Sequence, residues 1–292
     1  MVACHRGLQN MVKVVYDVKN LVTMKKIILL ILCGVAWSLE GFCATKIESF
    51  SVSPETKVIF SKGNVQYHPK KNLWRFAPNQ YDVIGEKNAK VSISYNGWID
   101  LFGWGTGNQP CRTTDNNKDY SNFVDWGTNF PEEDASWRTL TQKEWRYLLL
   151  ERENASKLVG IGKVAGVSGV FILPDNANAS DMEIAFISFA DQDVVKNWTR
   201  YSWNSELVLN TYSAKQWETL ESMGVVFLPF AGKRNVKTIE QVGVSGYYWS
   251  AEMEPKSCFK SYGVLLSNSN IGVAQPIFKQ IGCTVRLVNT IK

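Results

Sequence analysis

The sequence predicts an α+β fold in which a twisted, mostly antiparallel sheet carries two short helices and long irregular loops. Three observations predict it. Two short segments carry a helix-capping signal followed by an apolar stripe, at Thr141–Glu144 and Ser213–Gln216. Runs rich in β-branched and aromatic residues gather toward both ends of the chain. Between them, residues 97–134 are dense in Gly, Asn, Asp and aromatics without any sustained period.

The first 44 residues stand apart. Met24 opens MKKIILLILCGVAWSLEGFCATKIE, in which Lys25 and Lys26 precede an apolar run from Ile27 to Trp37. That pattern is a signal peptide over 24–44, with cleavage near Cys43 and Ala44, and the run is too short to span a bilayer. Residues 1–23 read as an over-long start ahead of Met24, or as an N-tail before an anchor helix. An acylated Cys43 would need a small residue before it, and Phe42 stands there. Residues 45–292 then form one domain, exported to the cell surface, the periplasm or the medium.

Five of the 32 basic and two of the 27 acidic residues lie in 1–44, which leaves 27 against 25, or +2. The basic balance belongs mostly to the leader, so no nucleic-acid or polyanion partner is called for. No membrane span is expected after the leader.

Along that domain, KVIFSKGNVQYHPKKNLWRFAPNQYDVIG reads as two strands joined at HPKKN. In SWRTLTQKEWRYLLLEREN, Thr141 and Glu144 form an S/T-x-x-E capping box. Trp145, Leu148, Leu149 and Arg152 follow at helical spacing, so a helix is expected over 141–153 with Trp145 facing the core. KVAGVSGVFILPD reads as a hairpin turning around Gly166 to Gly169, and 176–212 as mixed loop with a short strand. A second helix starts at Ser213 and Gln216, buries Trp217, Leu220 and Met223, and stops at Gly224. GVVFLPF, GYYWSAE, CFKSYGVLLSN and GCTVRLVN are four further strand-like runs.

Taken in order, these segments resemble a known family. WRTLTQKEWRYLLLER is similar to a segment of formylglycine-generating-enzyme-like domains, a branch of the C-type lectin fold. GVVFLPFAGKR, GYYWSAE and GCTVRLV resemble still more the FISUMP-type domains of secreted bacterial proteins. The resemblance spans roughly residues 57–290, is weakest over 176–212, and implies a C-type-lectin-like fold.

Several chemistries lose support on inspection. Formylglycine-generating oxidases need two closely spaced cysteines, whereas Cys258 and Cys283 are 25 positions apart. Those two either form a disulfide staple between C-terminal strands or stay separate thiols, with Cys111 as the third cysteine outside the leader. His68, the single histidine outside the leader, falls in a turn before Pro69 and is expected to be exposed. Ser-His-Asp and Cys-His catalysis therefore lack a partner, and paired carboxylates such as Asp115 with Asp119 or Glu132 with Glu133 have no shown convergence. Asp115, Asn117 and Asp119 alternate as a calcium loop begins, but Trp126 stands where a bidentate Glu is needed. Lys256 likewise spoils the Glu254-Pro255 echo of a lectin sugar motif. No catalytic residue, metal or cofactor is assigned.

What remains is a surface. In ligand-binding domains of the resembled fold, the face is built from the last strands and their connections. Here these are residues 251–257 and 267–280, with 247–252, 259–267 and 281–288 expected side by side. The ligand-contacting candidates are Met253, Glu254, Lys256, Asn268, Asn270, Ile271, Gln275 and Phe278. The expectation is an exported, non-enzymatic module that binds a surface glycan or protein. The alternatives are a diverged enzyme of the same fold, and a structural subunit with the aromatic loop 97–134 as its interface.

Overall fold

The computed structural model describes residues 48–131, 136–177 and 184–291. The leader, with Cys4, Cys33 and Cys43, lies outside the described residues, as do Glu132 and Glu133. No helix among the described residues is long and apolar enough to cross a membrane.

The first strands are β1 (Phe50–Ser51), β2 (Lys57–Phe60), β3 (Val65–His68), β4 (Leu73–Phe76) and β5 (Trp137–Thr139). Helix α1 (Gln142–Arg146) leads into β6 (Val159–Val164), β7 (Val167–Ile172), β8 (Val195–Lys196), β9 (Arg200–Ser202) and β10 (Asn210–Tyr212). After α2 (Ala214–Ser222) come β11 (Val226–Pro229), β12 (Lys233–Asn235) and β13 (Thr238–Glu240). The chain closes with β14 (Ser245–Met253), β15 (Lys260–Ser267), β16 (Asn270–Phe278) and β17 (Leu287–Thr290).

The class is α+β and mostly antiparallel, but the strands form several small sheets instead of one. Their orders are β1-β2-β17-β5, β10-β6-β7-β11 and β14-β15-β16-β9-β8, with β3-β4 and β12-β13 as separate hairpins. Only β10 and β6 pair in parallel among these strands. The C-terminal β17 lies between β2 and β5, so one sheet does join the two ends of the described chain.

Both helices start as their spacing predicts. The Thr141 hydroxyl accepts the Glu144 amide at 3.2 Å, and the Glu144 carboxylate accepts the Thr141 amide at 2.8 Å. Ser213 and Gln216 repeat the box at α2, which ends at Gly224 with φ +79°. The first helix is shorter than expected. Beyond Arg146 it widens into a π-helical turn over Tyr147–Glu151, closed by the Arg152 amide on the Tyr147 carbonyl at 2.8 Å. Three consecutive leucines, Leu148 to Leu150, are buried there, and a narrow α-helical stripe does not bury three neighbours in a row. Thr141→Ala removes one half of the box and is expected to cost about 1 kcal/mol in urea unfolding. An unchanged urea midpoint would contradict that role.

The β6–β7 hairpin turns at Ala165 and Gly166, with φ of +48° and +84°, as a two-residue primed turn requires. Gly169 is not in the turn. It pairs with Gly162 and Pro229, and a Cβ on it would sit 2.5 Å from the Phe227 ring, so it lets β11 approach.

The β3–β4 hairpin corrects the expectation for His68. It is 5% exposed, its Nδ1 accepts the Lys71 amide at 3.3 Å, and its ring meets Trp98 edge-on at 5.2 Å. The imidazole caps the Pro69–Lys71 turn and is packed, because the loop bearing Trp98 folds over it.

The long loop is ordered by its aromatics, as such loops require. Trp104, Tyr120 and Trp126 are buried, and Phe102 exchanges backbone hydrogen bonds with Cys283. Asp125 fastens the loop to β5, accepting the Gly127 amide and both the amide and hydroxyl of Thr139 at 2.9–3.0 Å. Asp100 is fully buried, with its carboxylate accepting the Ile84 amide and the Asn88 side chain. Burial pushes its pKa up to about 6 against those hydrogen bonds. A raised acid pKa favours the protonated native state. Its stabilising contribution is therefore present below about pH 3.8 and is lost as pH rises through about 6. Stability in urea is expected to rise by about 2 kcal/mol between pH 7.5 and pH 4.5 on this account, part of the contribution being lost already at pH 4.5. Equal stability at the two pH values would contradict it.

Candidate functional site

The C-terminal meander decides where the expected recognition residues fall. Residues 270–278, read from sequence as connection, are the nine-residue strand β16. Its inward face is Ile271, Val273 and Ile277, so Ile271, expected as an exposed anchor, is wholly buried against the core. The three segments expected side by side are neighbours. β14 lies between β15 and the 281–288 segment, which joins it through the Trp249 amide on the Thr284 carbonyl at 3.0 Å, and β16 lies beyond β15.

This order separates the two connections. In an antiparallel meander, successive turns lie at opposite ends of the shared strand. β15 has eight residues, so the two turns stand roughly 25 Å apart at about 3.3 Å per residue. Asn268 and Asn270 belong to one end. Met253, Glu254, Lys256 and Phe278 belong to the other, and Gln275, opposite Gly263, lies between. The eight candidates therefore do not make one face.

The 253–260 end has its own construction. The Glu254 amide donates to the Lys260 carbonyl at 3.3 Å, and the Lys279 amide to the Phe259 carbonyl at 3.0 Å, which ties the turn to the end of β16. Register places Met253 opposite Ser261 and Phe278 opposite Lys260. Met253, Phe259 and Phe278 are 42%, 51% and 46% exposed. The Lys260 ammonium lies over the Phe278 ring at 4.8 Å. Glu254 and Lys256 belong to the same turn. Phe259 carries no separate signal in the sequence, because it stands at the start of the strand-like run CFKSYGVLLSN.

At the opposite end, Asn268 and Ser269 line a cleft of about 670 Å³ with Lys163, Trp203, Asn204 and Glu206. Trp203 forms a wall, its indole N–H held by the Asn268 carbonyl at 2.9 Å. A second cleft, about 550 Å³, opens on the aromatic loop between Tyr67, Ile93, Pro110, Cys111 and Arg112. Burial pushes the Cys111 thiol up to about 11, so it stays protonated near neutral pH and is a poor nucleophile.

The staple between Cys258 and Cys283 is not formed, and all three described cysteines are free thiols. Cys283 is buried in the aromatic cluster beside Phe102, whereas Cys258 is exposed in the turn before β15. In the Asp115–Asp119 segment Asn116 accepts the Lys118 amide at 3.2 Å and caps the short turn that follows.

Comparisons of the chain with protein-family models, with curated proteins and with solved structures found no match.

Proposed function

We propose that the chain is an exported, non-enzymatic binding or adhesion module with a C-type-lectin-like fold of the FISUMP type. Its recognition face is the 253–260 end of the β14–β16 meander together with Phe278. The observation that carries this reading is that Met253, Phe259 and Phe278, all at this end of the meander, are each more than two-fifths exposed, with Glu254, Lys256 and Lys260 close to them in the chain. Exposed apolar side chains gathered at one end of a sheet suit an interaction surface. Phe and Met are also among the residue types enriched at interfaces.

Export rests on the Lys25–Lys26 and Ile27–Trp37 leader, and the near-neutral remainder of the chain offers no general attraction for a polyanion. The ligand at this face is a surface glycan or protein. The test is to apply the labelled protein to arrays of cell-surface glycans and proteins. Saturable retention of the protein supports the module. Absence of retention, together with turnover of a sulfatase-type peptide, would favour the diverged enzyme instead.

A further inference from the structure

Arg286 is a guanidinium inside the protein without a direct counter-charge. It is 1% exposed and makes no ion pair among the described residues. Its Nη2 donates to the Gln80 side-chain oxygen at 2.7 Å and to the Phe227 carbonyl at 2.6 Å. Its Nε and Nη1 are buried with no hydrogen-bond partner among the described residues. Burial lowers its pKa to about 10, so it remains a cation near neutral pH. Glu221 is held one side chain away, by the Gln80 amide at 3.1 Å.

Two more side chains bring unpaired groups to the same place. Cys283, Val285 and Leu287 face the aromatic cluster, so alternation turns Thr284 and Arg286 to the other side of that segment. Tyr248 bridges to Thr284, and the Val65 amide donates to the Val285 carbonyl at 2.9 Å, which sets Asn64 beside Arg286. Burial raises the Tyr248 pKa, while the Arg286 charge and the Asn64 side chain near it oppose the rise. The Tyr248 hydroxyl donates to the Pro229 carbonyl at 2.9 Å. Asn64 and Thr284 are wholly buried, and the Asn64 Oδ1 and Nδ2 and the Thr284 Oγ1 close no hydrogen bond among the described residues. Buried polar groups left unpaired are costly, and a buried cation without a counter-charge more so.

The donors decide the ligand class. The Nε–H and Nη1–H groups of Arg286, the Asn64 amide and the Thr284 hydroxyl offer more hydrogens than the two side-chain oxygens among them accept. Water can bridge such groups, but it leaves the charge uncompensated. All of these atoms are shut off from solvent, so a monatomic anion suits the place better than a carboxylate or a phosphate. Gln80 also walls a cleft of about 330 Å³ beside Glu221, which puts the cluster one side chain from the surface. We infer that Arg286, Asn64 and Thr284 hold a buried chloride ion as the counter-charge of the guanidinium. This site is independent of the recognition face at the 253–260 end.

The experiment is urea unfolding of the full chain in sodium chloride, bromide or gluconate at equal ionic strength. Relative to gluconate, chloride and bromide are expected to lower the unfolding equilibrium constant saturably, by about tenfold once the halide exceeds its dissociation constant about tenfold. Asn64→Asp puts a carboxylate beside Arg286 and is expected to make stability independent of halide. Thr284→Val removes one donor and is expected to need about tenfold more chloride for the same effect. Crystals grown with sodium bromide are expected to show an anomalous scatterer within hydrogen-bonding distance of the Arg286 Nε or Nη1. Equal stability in chloride and gluconate would overturn the inference, as would an Asn64→Asp variant that keeps the halide dependence of the parent. Should that variant not fold, the bromide crystal decides: water without an anomalous signal beside Arg286 overturns the inference too.

Discussion

Trp249→Ala is expected to destabilise the domain by roughly 3–5 kcal/mol, the range for truncating a buried large aromatic. Trp249 lies in the middle of β14 at 1% exposure, packed in the cluster that includes Phe102, Ile277 and Val285. Its indole N–H donates to the Phe102 carbonyl at 2.6 Å, which joins the long aromatic loop to the C-terminal sheet. Its own carbonyl accepts the Trp145 indole at 3.3 Å, joining α1 to the same strand. Truncation leaves the Phe102 carbonyl without its partner as well as opening a cavity, and both effects have the same sign. Domains of this kind have only about 5–15 kcal/mol to lose, so the variant is expected to show a greatly lowered urea midpoint or no cooperative transition. A midpoint near that of the parent would mean the loop and sheet are held by other contacts.

Asp175→Ala is expected to cost a similar amount, about 3–5 kcal/mol, because it strands a buried cation. Arg152 has a side chain only 1% exposed, and its guanidinium reaches Asp175 at 3.0 Å and the Leu173 carbonyl at 2.9 Å. Asp175 also accepts the amide and hydroxyl of Ser51, at 3.0 and 2.6 Å, so β1 is fixed through the same carboxylate. The half-exposed Lys57, at 3.2 Å, adds little. Burial opposes the charge on Asp175, but the Ser51 hydrogen bonds and Arg152 outweigh it and hold the pKa below the ordinary value. Burial also lowers the Arg152 pKa. The sign for Asp175 follows: its stabilising contribution is present above the ordinary aspartate pKa and is lost as pH falls through the lowered one. Acid unfolding of the parent should therefore include this group, and the alanine variant should lose that part of the acid dependence. Unchanged stability at neutral pH in the variant would show that Arg152 finds another partner.

The helix starts were legible because a capping box is local: Thr141 with Glu144 and Ser213 with Gln216 decide their own geometry within three residues. Arg152 shows where that reading runs out. Its spacing from Trp145 placed it on the buried stripe, and it is buried, but its reason is a carboxylate 23 positions later. β16 was hidden by its composition. Ile271, Val273 and Ile277 do alternate, yet Gly272, Pro276 and the Ser- and Asn-rich turn before them carry loop signals. His68 looked exposed because nothing near it announces that Trp98 will cover it. Met253, Lys256, Asn268 and Phe278 are exposed, as their residue types or turn positions suggest, but Ile271 is buried, and the strand order that sends two adjacent turns to opposite ends is a tertiary property.

The central claim is that recognition belongs to the 253–260 end of the meander. Its most direct test compares two variants of the protein on the same glycan and protein arrays. One is Met253→Ser, Phe259→Ser and Phe278→Ser together; the other is Asn268→Ala with Asn270→Ala at the opposite end. All of these side chains are at least partly exposed, so each variant is expected to keep its melting temperature within a few degrees of the parent. The account predicts that the first loses the retention shown by the parent by about tenfold or more, while the second keeps it. Full retention by the triple variant, with loss in the Asn268 and Asn270 variant, would contradict the account and move the site to the cleft beside Trp203.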